Sequence, residues 1–353
     1  MFIQGVGTAT PAFKYTQRDC WDTLCGSPHL QKLSSRSQAI LRKVLTGDSG
    51  IATRYFAMSR LDEAFSIDPN TLHRRFAENA PSVASAAARN ALEQARATVG
   101  EIDALIISTC TGYLCPGLTS YVSEELGLRT GIYLADLVGH GCGAALPNLQ
   151  LANALIASQQ AKRVLCICVE ICSAAFYLDN DPGVLISNCL FGDAAGAVVV
   201  GREAGENFPR VEWKNYRTAL NTRDRELLRF ETRDGMLRNV LDKSVPVLVV
   251  EQVREVLSGL LADAQLEKSD LGEWIVHSGG RDVLAALQSG LDLPAEKLCW
   301  SAEVLREYGN VSSPSVIFAL QKAIAARAPE GMWLLTAFGA GISCHGALLD
   351  VRW

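Results

Sequence analysis

Cys142 lies in a glycine-flanked segment, Val138–Gly143, that precedes a predicted helix continuing through Gln150–Ile156. The first turn of a helix presents unpaired backbone N–H groups and the positive end of the helix dipole, which favour a thiolate over a thiol. Such surroundings lower the pKa of a cysteine from about 8.5 to roughly 3.5–7.5. The segment therefore predicts a nucleophilic cysteine, with a buried structural cysteine as the alternative.

Two further residues supply the groups that acyl chemistry at a cysteine requires. His277 follows the apolar stretch Trp274–Val276, and Asn310 lies in the turn-like segment Tyr308–Pro314. An imidazolium stabilises a thiolate, whereas a neutral histidine and an asparagine amide donate hydrogen bonds to a developing enolate or oxyanion. Each residue alone is compatible with a structural role. Together with Cys142 they indicate acyl transfer through a thioester.

The elements that must position these side chains alternate between helical and strand patterns. Residues 81 to about 99 predict a helix, and the mainly apolar stretches Ala104–Ser108 and Arg163–Val169 predict strands. Short apolar strands between helices are typical of buried sheets with helices on their faces. A Phe-Gly-small turn precedes a terminal strand twice, at Phe191 and at Phe338, which indicates a duplicated unit.

This repetition predicts two halves that share one architecture. The first half, residues 1–205, carries the cysteine, and the second half, residues 206–353, carries the histidine and the asparagine. The polar stretch 203–234, which is rich in Arg and Glu, is predicted to connect them.

Composition places the chain among globular proteins and argues against several functions. Hydrophobic residues make up 48% of it and charged residues 20%, and no apolar run approaches the roughly 18 residues of a membrane helix. The net charge of −5 argues against general nucleic-acid binding, so an anionic substrate requires a local basic patch. The N-terminus lacks a signal-peptide pattern, and eleven irregularly spaced cysteines favour reduced thiols, so we expect a cytoplasmic protein.

In type and order, Cys142, His277 and Asn310 resemble the Cys-His-Asn triad of the type III polyketide synthases, the chalcone synthase-like enzymes of the thiolase-like superfamily. The resemblance extends along the chain. It includes Gly5–Pro11 near the start and Ala337–Ile342 near the end.

The resemblance implies a five-layered α-β-α-β-α fold of two pseudo-duplicated halves. It also implies decarboxylative Claisen condensation of malonyl units onto an acyl starter held by Cys142, with acyl-CoA and malonyl-CoA as substrates, no other cofactor, and a homodimer.

The resemblance further assigns substrate contacts, with Phe191 as a gatekeeper. The substrate-binding set that it implies comprises Phe191, Cys110, Thr111, Cys115, Cys172, Ala175, Arg238, Ser312, Gly339 and Gly341. Arg238 is the nearest match to a second gatekeeper phenylalanine, with a solvated surface arginine as the alternative. Small residues such as Ala175 predict room for a long or bulky acyl chain.

The basic residues nearest the family's coenzyme A contacts are Arg42, Lys43 and Arg54. Ordinary surface charges are the alternative interpretation of these residues. A carrier-protein thioester therefore stays open as the donor.

Several alternatives remain at this stage. Cys166, Cys168 and Cys172 offer thiols for a metal, but no second cluster completes four ligands at a familiar spacing, and we predict no metal site. Cys344 could be the late cysteine of a thiolase, although strand packing fits it better. The competing functions are a single-condensation β-ketoacyl synthase and, in another class, a non-catalytic partner subunit.

Overall fold

Strands and helices alternate along the whole chain in the computed structural model, which describes residues 1–353. The strands are β1 (Phe2–Ala9), β2 (Phe13–Thr16), β3 (Thr53–Phe56), β4 (Ala104–Ser108), β5 (Tyr133–Leu137), β6 (Arg163–Glu170), β7 (Ala194–Gly201), β8 (Arg210–Leu220), β9 (Leu228–Arg233), β10 (Met236–Leu241), β11 (Leu271–Val276), β12 (Gly331–Gly339) and β13 (Ser343–Arg352). The helices are α1 (Gln17–Cys25), α2 (Pro28–Gln31), α3 (Ser35–Thr46), α4 (Pro69–Ala95), α5 (Leu118–Leu126), α6 (Ala145–Ala157), α7 (Pro182–Leu190), α8 (Val245–Ala264), α9 (Arg281–Gly290), α10 (Cys299–Tyr308) and α11 (Ser315–Ala325).

Nine strands form one continuous hydrogen-bonded sheet in the order β11-β12-β13-β8-β1-β7-β6-β4-β5. The pairs β4–β5, β4–β6 and β11–β12 are parallel, and the other neighbours are antiparallel. The first and second halves of the chain meet where β1 pairs with β8, with Phe2 opposite Glu212. Separate two-stranded sheets are formed by β2–β3 and β9–β10.

Three hydrophobic clusters show that the chain forms five layers. Helices α4 and α5 pack against the first-half strands, α8 and α9 pack against the second-half strands, and α6 and α11 lie in the largest cluster with strands of both halves. A sheet region with apolar residues on both faces must be covered on both sides. The predicted five-layered α-β-α-β-α architecture is thereby confirmed.

Helix α4 begins at Pro69, well before the predicted start at Pro81. Asp68 caps it by accepting a hydrogen bond from the backbone N–H of Thr71, and Pro69 occupies the first turn, where a missing N–H costs nothing. Pro81 therefore lies inside the helix and does not start it. The helix packs closely on β1, because a Cβ on Gly7 would lie 2.3 Å from the backbone of α4.

The polar stretch 203–234 is not a simple connection, since it contains strands β8 and β9. Strand β8 is polar because only some of its residues, including Val211 and Trp213, are buried, while charged residues between them face outward. None of the helices combines the length and the apolar character needed to cross a bilayer.

Candidate active site

Cys142 lies in a short 3₁₀ turn, Gly141–Gly143, just before α6; we call this segment the nucleophile turn. Gly141 has a left-handed φ of +55°. The end of β12 packs against the turn backbone to backbone, so that a Cβ on Gly339 would lie 2.4 Å from the amide nitrogen of Gly143. Glycine permits this close approach. Main-chain packing therefore fixes the position of the cysteine.

Burial determines the protonation state of Cys142. It raises the pKa of the Cys142 thiol to about 12, against the opposing effect of a 3.3 Å hydrogen bond donated by Oγ of Ser312 to Sγ. An apolar environment disfavours the charged thiolate. Burial therefore opposes the lowering of the Cys142 pKa that the helix N-terminus predicts, and in this structure the balance favours the protonated thiol.

His277 follows β11 and is held in a fixed orientation. Its backbone N–H donates to the carbonyl of Thr336, its Nδ1 is hydrogen-bonded to Oγ of Ser315, and the ring of Phe338 meets it edge to face at 4.9 Å. Burial lowers the pKa of His277 to about 3, so the imidazole is neutral at pH 7. Because Ser315 occupies Nδ1, Nε2 is the nitrogen available to a substrate.

Asn310 is held by four hydrogen bonds. Its Nδ2 donates to the carbonyl of Gly279 at 3.0 Å, and its Oδ1 accepts from the backbone N–H of Ser312 at 2.8 Å. Its backbone N–H donates to the carbonyl of Leu190, and its carbonyl accepts from the N–H of Gly192. An amide group carries two N–H donors, so one of them is left to meet a substrate oxygen.

Short contacts connect the three predicted residues. Ser312, on the same turn as Asn310, reaches Sγ of Cys142. Gly279, which accepts a hydrogen bond from Asn310, lies so close to His277 that its Cβ would be 3.6 Å from Nε2. The structure therefore brings the cysteine, the histidine and the asparagine together in one buried site.

Glu170 is a buried carboxylate in this site that the sequence analysis missed. It ends β6, has no exposed surface, and its pKa is raised by burial. It accepts hydrogen bonds from Oγ of Ser313 at 2.7 Å, Oγ1 of Thr111 at 2.9 Å and the backbone N–H of Cys110 at 3.0 Å. Oγ of Ser312 lies 3.4 Å from it, so this network reaches the hydroxyl that contacts Sγ of Cys142.

Cys142 lines a cavity whose empty space, including the part open to solvent, is about 640 Å³. His277 and Asn310 are buried beside it, with exposures of 1% and 3%, and do not line it. The residues of the predicted substrate-binding set that do line it are Cys110, Thr111, Cys172, Ala175, Phe191 and Ser312.

The other four residues of that set are placed elsewhere. Cys115 is exposed on the loop before α5, and Arg238 faces away from the cavity into a group of carboxylates. Gly339 packs against the nucleophile turn, and Gly341 lines a wider neighbouring groove. The prediction that Cys115 and Arg238 line the cavity is therefore wrong. The direction of a loop or strand side chain is set by backbone geometry, which the motif does not reveal.

The three candidate coenzyme A contacts differ in their exposure to solvent. Arg42 and Lys43 are exposed on α3. Arg54 is only 2% exposed, and its guanidinium donates to the carbonyls of Asn188 and Phe191 at 2.7 and 2.8 Å. Arg54 is thus a structural arginine that supports the segment from Asn188 to Phe191, and its assignment to coenzyme A is wrong.

Phe230 and Asn239 line the cavity and were not predicted. They are paired across β9 and β10, and Nδ2 of Asn239 donates to Oγ of Ser187 at 2.8 Å. Strand alternation could have identified Asn239, because it neighbours the wrongly chosen Arg238 and must point to the opposite face. Glu170 could also have been identified from the sequence, because it is an acidic residue at the end of a mainly apolar strand.

Family models match nearly the whole chain. Residues 14–219 match the model described as FAE1/Type III polyketide synthase-like protein, and residues 225–351 match the C-terminal domain of chalcone and stilbene synthases.

Individual relatives agree with these matches. The chain is 31% identical to 3,5-dihydroxyphenylacetyl-CoA synthase of Amycolatopsis orientalis, over 98% of this chain and 92% of that protein. It is 30% identical to 1,3,6,8-tetrahydroxynaphthalene synthase of Streptomyces peucetius, over 99% and 93% of the two chains. Among solved structures, PKS-I from the brown alga Ectocarpus siliculosus superposes with a TM-score of 0.91 at 25% identity, covering 99% of this chain and 97% of that one.

Proposed function

The chain belongs to the type III polyketide synthase family, and from this premise we propose that Cys142, His277 and Asn310 carry its decarboxylative Claisen condensation. The observation that supports these roles is their convergence through Ser312 and Gly279 beside one cavity. The chain is an acyltransferase, and the residue roles below are our proposal.

In the loading step, Sγ of Cys142 attacks the carbonyl carbon of the starter thioester. The thiol must lose its proton during attack because burial raises its pKa to about 12. Nε2 of His277 accepts that proton and returns it to the sulfur of the departing coenzyme A thiol. Ser315 can donate to Nδ1 or accept from it, so the ring presents Nε2 as acceptor or donor as each step requires.

In the extension step, the thioester carbonyl of a malonyl unit accepts hydrogen bonds from Nε2 of His277 and Nδ2 of Asn310. The bond to the carboxylate breaks, carbon dioxide leaves, and the electron pair forms an enolate that these two donors stabilise. The enolate carbon attacks the acyl carbonyl on Cys142, and Sγ leaves as a thiolate. A neutral imidazole suits this step, and the lowered pKa of His277 keeps it neutral.

The cavity accommodates the growing chain. Cys172 and Ala175 leave room along one wall, and Phe191 adjoins Asn310 through a β-bridge. We propose acyl-CoA and malonyl-CoA as substrates, with no other cofactor, and exposed Arg42 and Lys43 as the donor contacts. A carrier-protein thioester is the alternative donor.

We also propose a cytoplasmic homodimer. The edge strand β5 exposes Tyr133 and Leu134, the neighbouring α5 exposes Tyr121, and Val138 follows β5. An exposed strand edge with adjoining apolar side chains is a typical association surface. All eleven cysteines are free thiols in the structure, a pattern typical of proteins in reducing compartments.

Product mass spectrometry tests the proposed function. The protein is mixed with malonyl-CoA and short, long and aromatic acyl-CoAs, with Cys142→Ala as control. We expect products that carry several acetate units beyond the starter and that are absent with the variant. Products with one added unit would indicate a single-condensation ketosynthase, and the absence of any condensation would contradict the proposal.

A further inference from the structure

The hairpin formed by β9 and β10 is a wall of the cavity that does not belong to the main sheet. Phe230 and Asn239 are directly opposite each other in it, and both line the cavity. Their strand neighbours, Glu231 and Arg238, form the next pair. Because successive strand residues point to opposite faces, this second pair lies on the face away from the cavity.

Arg238 connects that outer face to another part of the chain. Its Nε lies 3.0 Å from a carboxylate oxygen of Asp179, its Nη2 lies 3.0 Å from Asp181, and its Nη1 lies 3.1 Å from Glu231. The arginine side chain is only 10% exposed. All three donor directions of the guanidinium are therefore used in ion pairs, and two of the partners, Asp179 and Asp181, lie outside the hairpin.

The two aspartates stand on the segment that joins the opposite cavity wall to α7. Ala175, Phe176 and Tyr177 line the cavity just before them, and Asp181 is the N-cap of α7. The Arg238 cluster, defined as Arg238 with its three carboxylates, thus fastens the hairpin wall to the wall facing it.

The charge balance makes the arginine essential to this connection. Glu231 is shared with Arg229 at 3.1 Å, but Asp179 and Asp181 have Arg238 as their only cation, so its removal leaves two neighbouring aspartates that repel each other in a half-buried setting. A two-stranded hairpin has little stability of its own. Two hydrogen bonds also join the hairpin to the facing wall: Nδ2 of Asn239 donates to Oγ of Ser187, and the hydroxyl of Tyr177 donates to Asp234 at 3.3 Å.

We propose that Arg238 is a positioning residue that sets the width of the acyl cavity by clamping the β9–β10 hairpin, and thereby selects among acyl starters by size. The proposal rests on the proposed function, since it concerns the cavity that receives the starter. Without the clamp the hairpin moves outward and carries Phe230 and Asn239 away from the cavity. The kcat/KM for bulkier starters then rises relative to that for small ones.

The test compares Arg238→Met with Arg233→Met. Arg233 is exposed on the same hairpin and has no ion pair, so its loss removes the same charge without breaking the clamp. Two readouts are recorded for each protein: the ratio of kcat/KM for a long and a short acyl-CoA starter, and hydrogen exchange of residues 228–241.

We expect Arg238→Met to raise the long-to-short ratio about tenfold, the scale on which apolar pockets discriminate substrates. Amide exchange in the hairpin should accelerate, and Arg233→Met should match the wild type in both respects. Arg238→Lys, which cannot reproduce three directed contacts, should fall between them.

An unchanged ratio in folded Arg238→Met, with an active wild type, would overturn the proposal. If Arg238→Met does not fold, the double variant Asp179→Asn, Asp181→Asn replaces it, because asparagine preserves the N-cap acceptor of α7 while removing both charges. If the wild type makes no condensation product, the proposed function fails, and unaltered hairpin exchange in the variants would overturn the clamp separately.

Discussion

The hydroxyl of Ser312 donates a hydrogen bond to Sγ of Cys142 across 3.3 Å, and it is the side chain that most directly opposes the effect of burial on the thiol. Ser312 has a left-handed φ of +57°, which directs the turn after Asn310 toward the nucleophile. One short turn thus supplies both Asn310, for which we propose a catalytic role, and the hydroxyl that contacts Sγ of Cys142.

Removing this hydroxyl should make the thiol less acidic. Ser312→Ala is expected to slow iodoacetamide labelling of Cys142 at pH 8 about two- to tenfold, the range of a single hydrogen bond. Labelling is measured by peptide mass spectrometry. Ser313→Ala is the control, because that hydroxyl contacts Glu170 and not Sγ. Equal rates in Ser312→Ala and the wild type would show that the contact does not tune the thiol.

The pH dependence of labelling tests the protonation state of the site. Because the pKa of Cys142 is raised to about 12, the thiolate fraction should grow about tenfold for each pH unit between pH 6 and 9. The neutral His277, with its pKa lowered to about 3, offers no imidazolium partner in this range. A rate that reaches a plateau by pH 7 would instead reveal a preformed thiolate–imidazolium pair.

Packing at the nucleophile turn makes Gly339 intolerant of a side chain. Gly339→Ala places a Cβ 2.4 Å from the nitrogen of Gly143 and should lower the free energy of unfolding by about 2 kcal/mol or more. Gly272→Ala is the control, since its Cβ would have no neighbour closer than 3.7 Å. Thermal unfolding monitored by circular dichroism compares them, and equal melting temperatures would refute the close packing.

Arg54 and Arg42 should behave oppositely on substitution. Arg54→Met removes buried hydrogen bonds from a charged group and should cost about 3 kcal/mol of folding stability. Arg42→Met should leave stability unchanged and raise KM for malonyl-CoA. Denaturant titrations and steady-state kinetics separate the two effects. A KM effect confined to folded Arg54→Met would restore its assignment to the donor site.

The sequence predicts those parts of the site that depend on local chain geometry. Cys142 and Asn310 stand in glycine-bearing turns, and His277 follows a buried strand, so their neighbourhoods are visible in the residue order. The direction in which a side chain points is not visible in the residue order. Arg238 occupies the predicted cavity strand but faces its outer surface, because a shift of one residue reverses the face.

Long-range burial is the second limit on prediction. In the sequence Arg54 resembles a surface cation, whereas in the fold the carbonyls of Asn188 and Phe191 cover it. In the sequence Glu170 is only the last residue of a strand. In the fold, Thr111 and Ser313 from distant segments donate hydrogen bonds to it. The sequence of β8 resembles a connection because its outward face is charged, and its pairing with β1 and β13 is set by the whole sheet.

Intact-protein and peptide mass spectrometry of the acyl-enzyme tests the central claim most directly. The protein is mixed with a single acyl-CoA, quenched and digested, and malonyl-CoA is added to a second portion before quenching. We predict an acyl adduct on the peptide containing Cys142 that malonyl-CoA then discharges as an extended product. Asn310→Ala should load the adduct and fail to discharge it. An adduct on another residue, or product formation without any adduct on Cys142, would contradict the account.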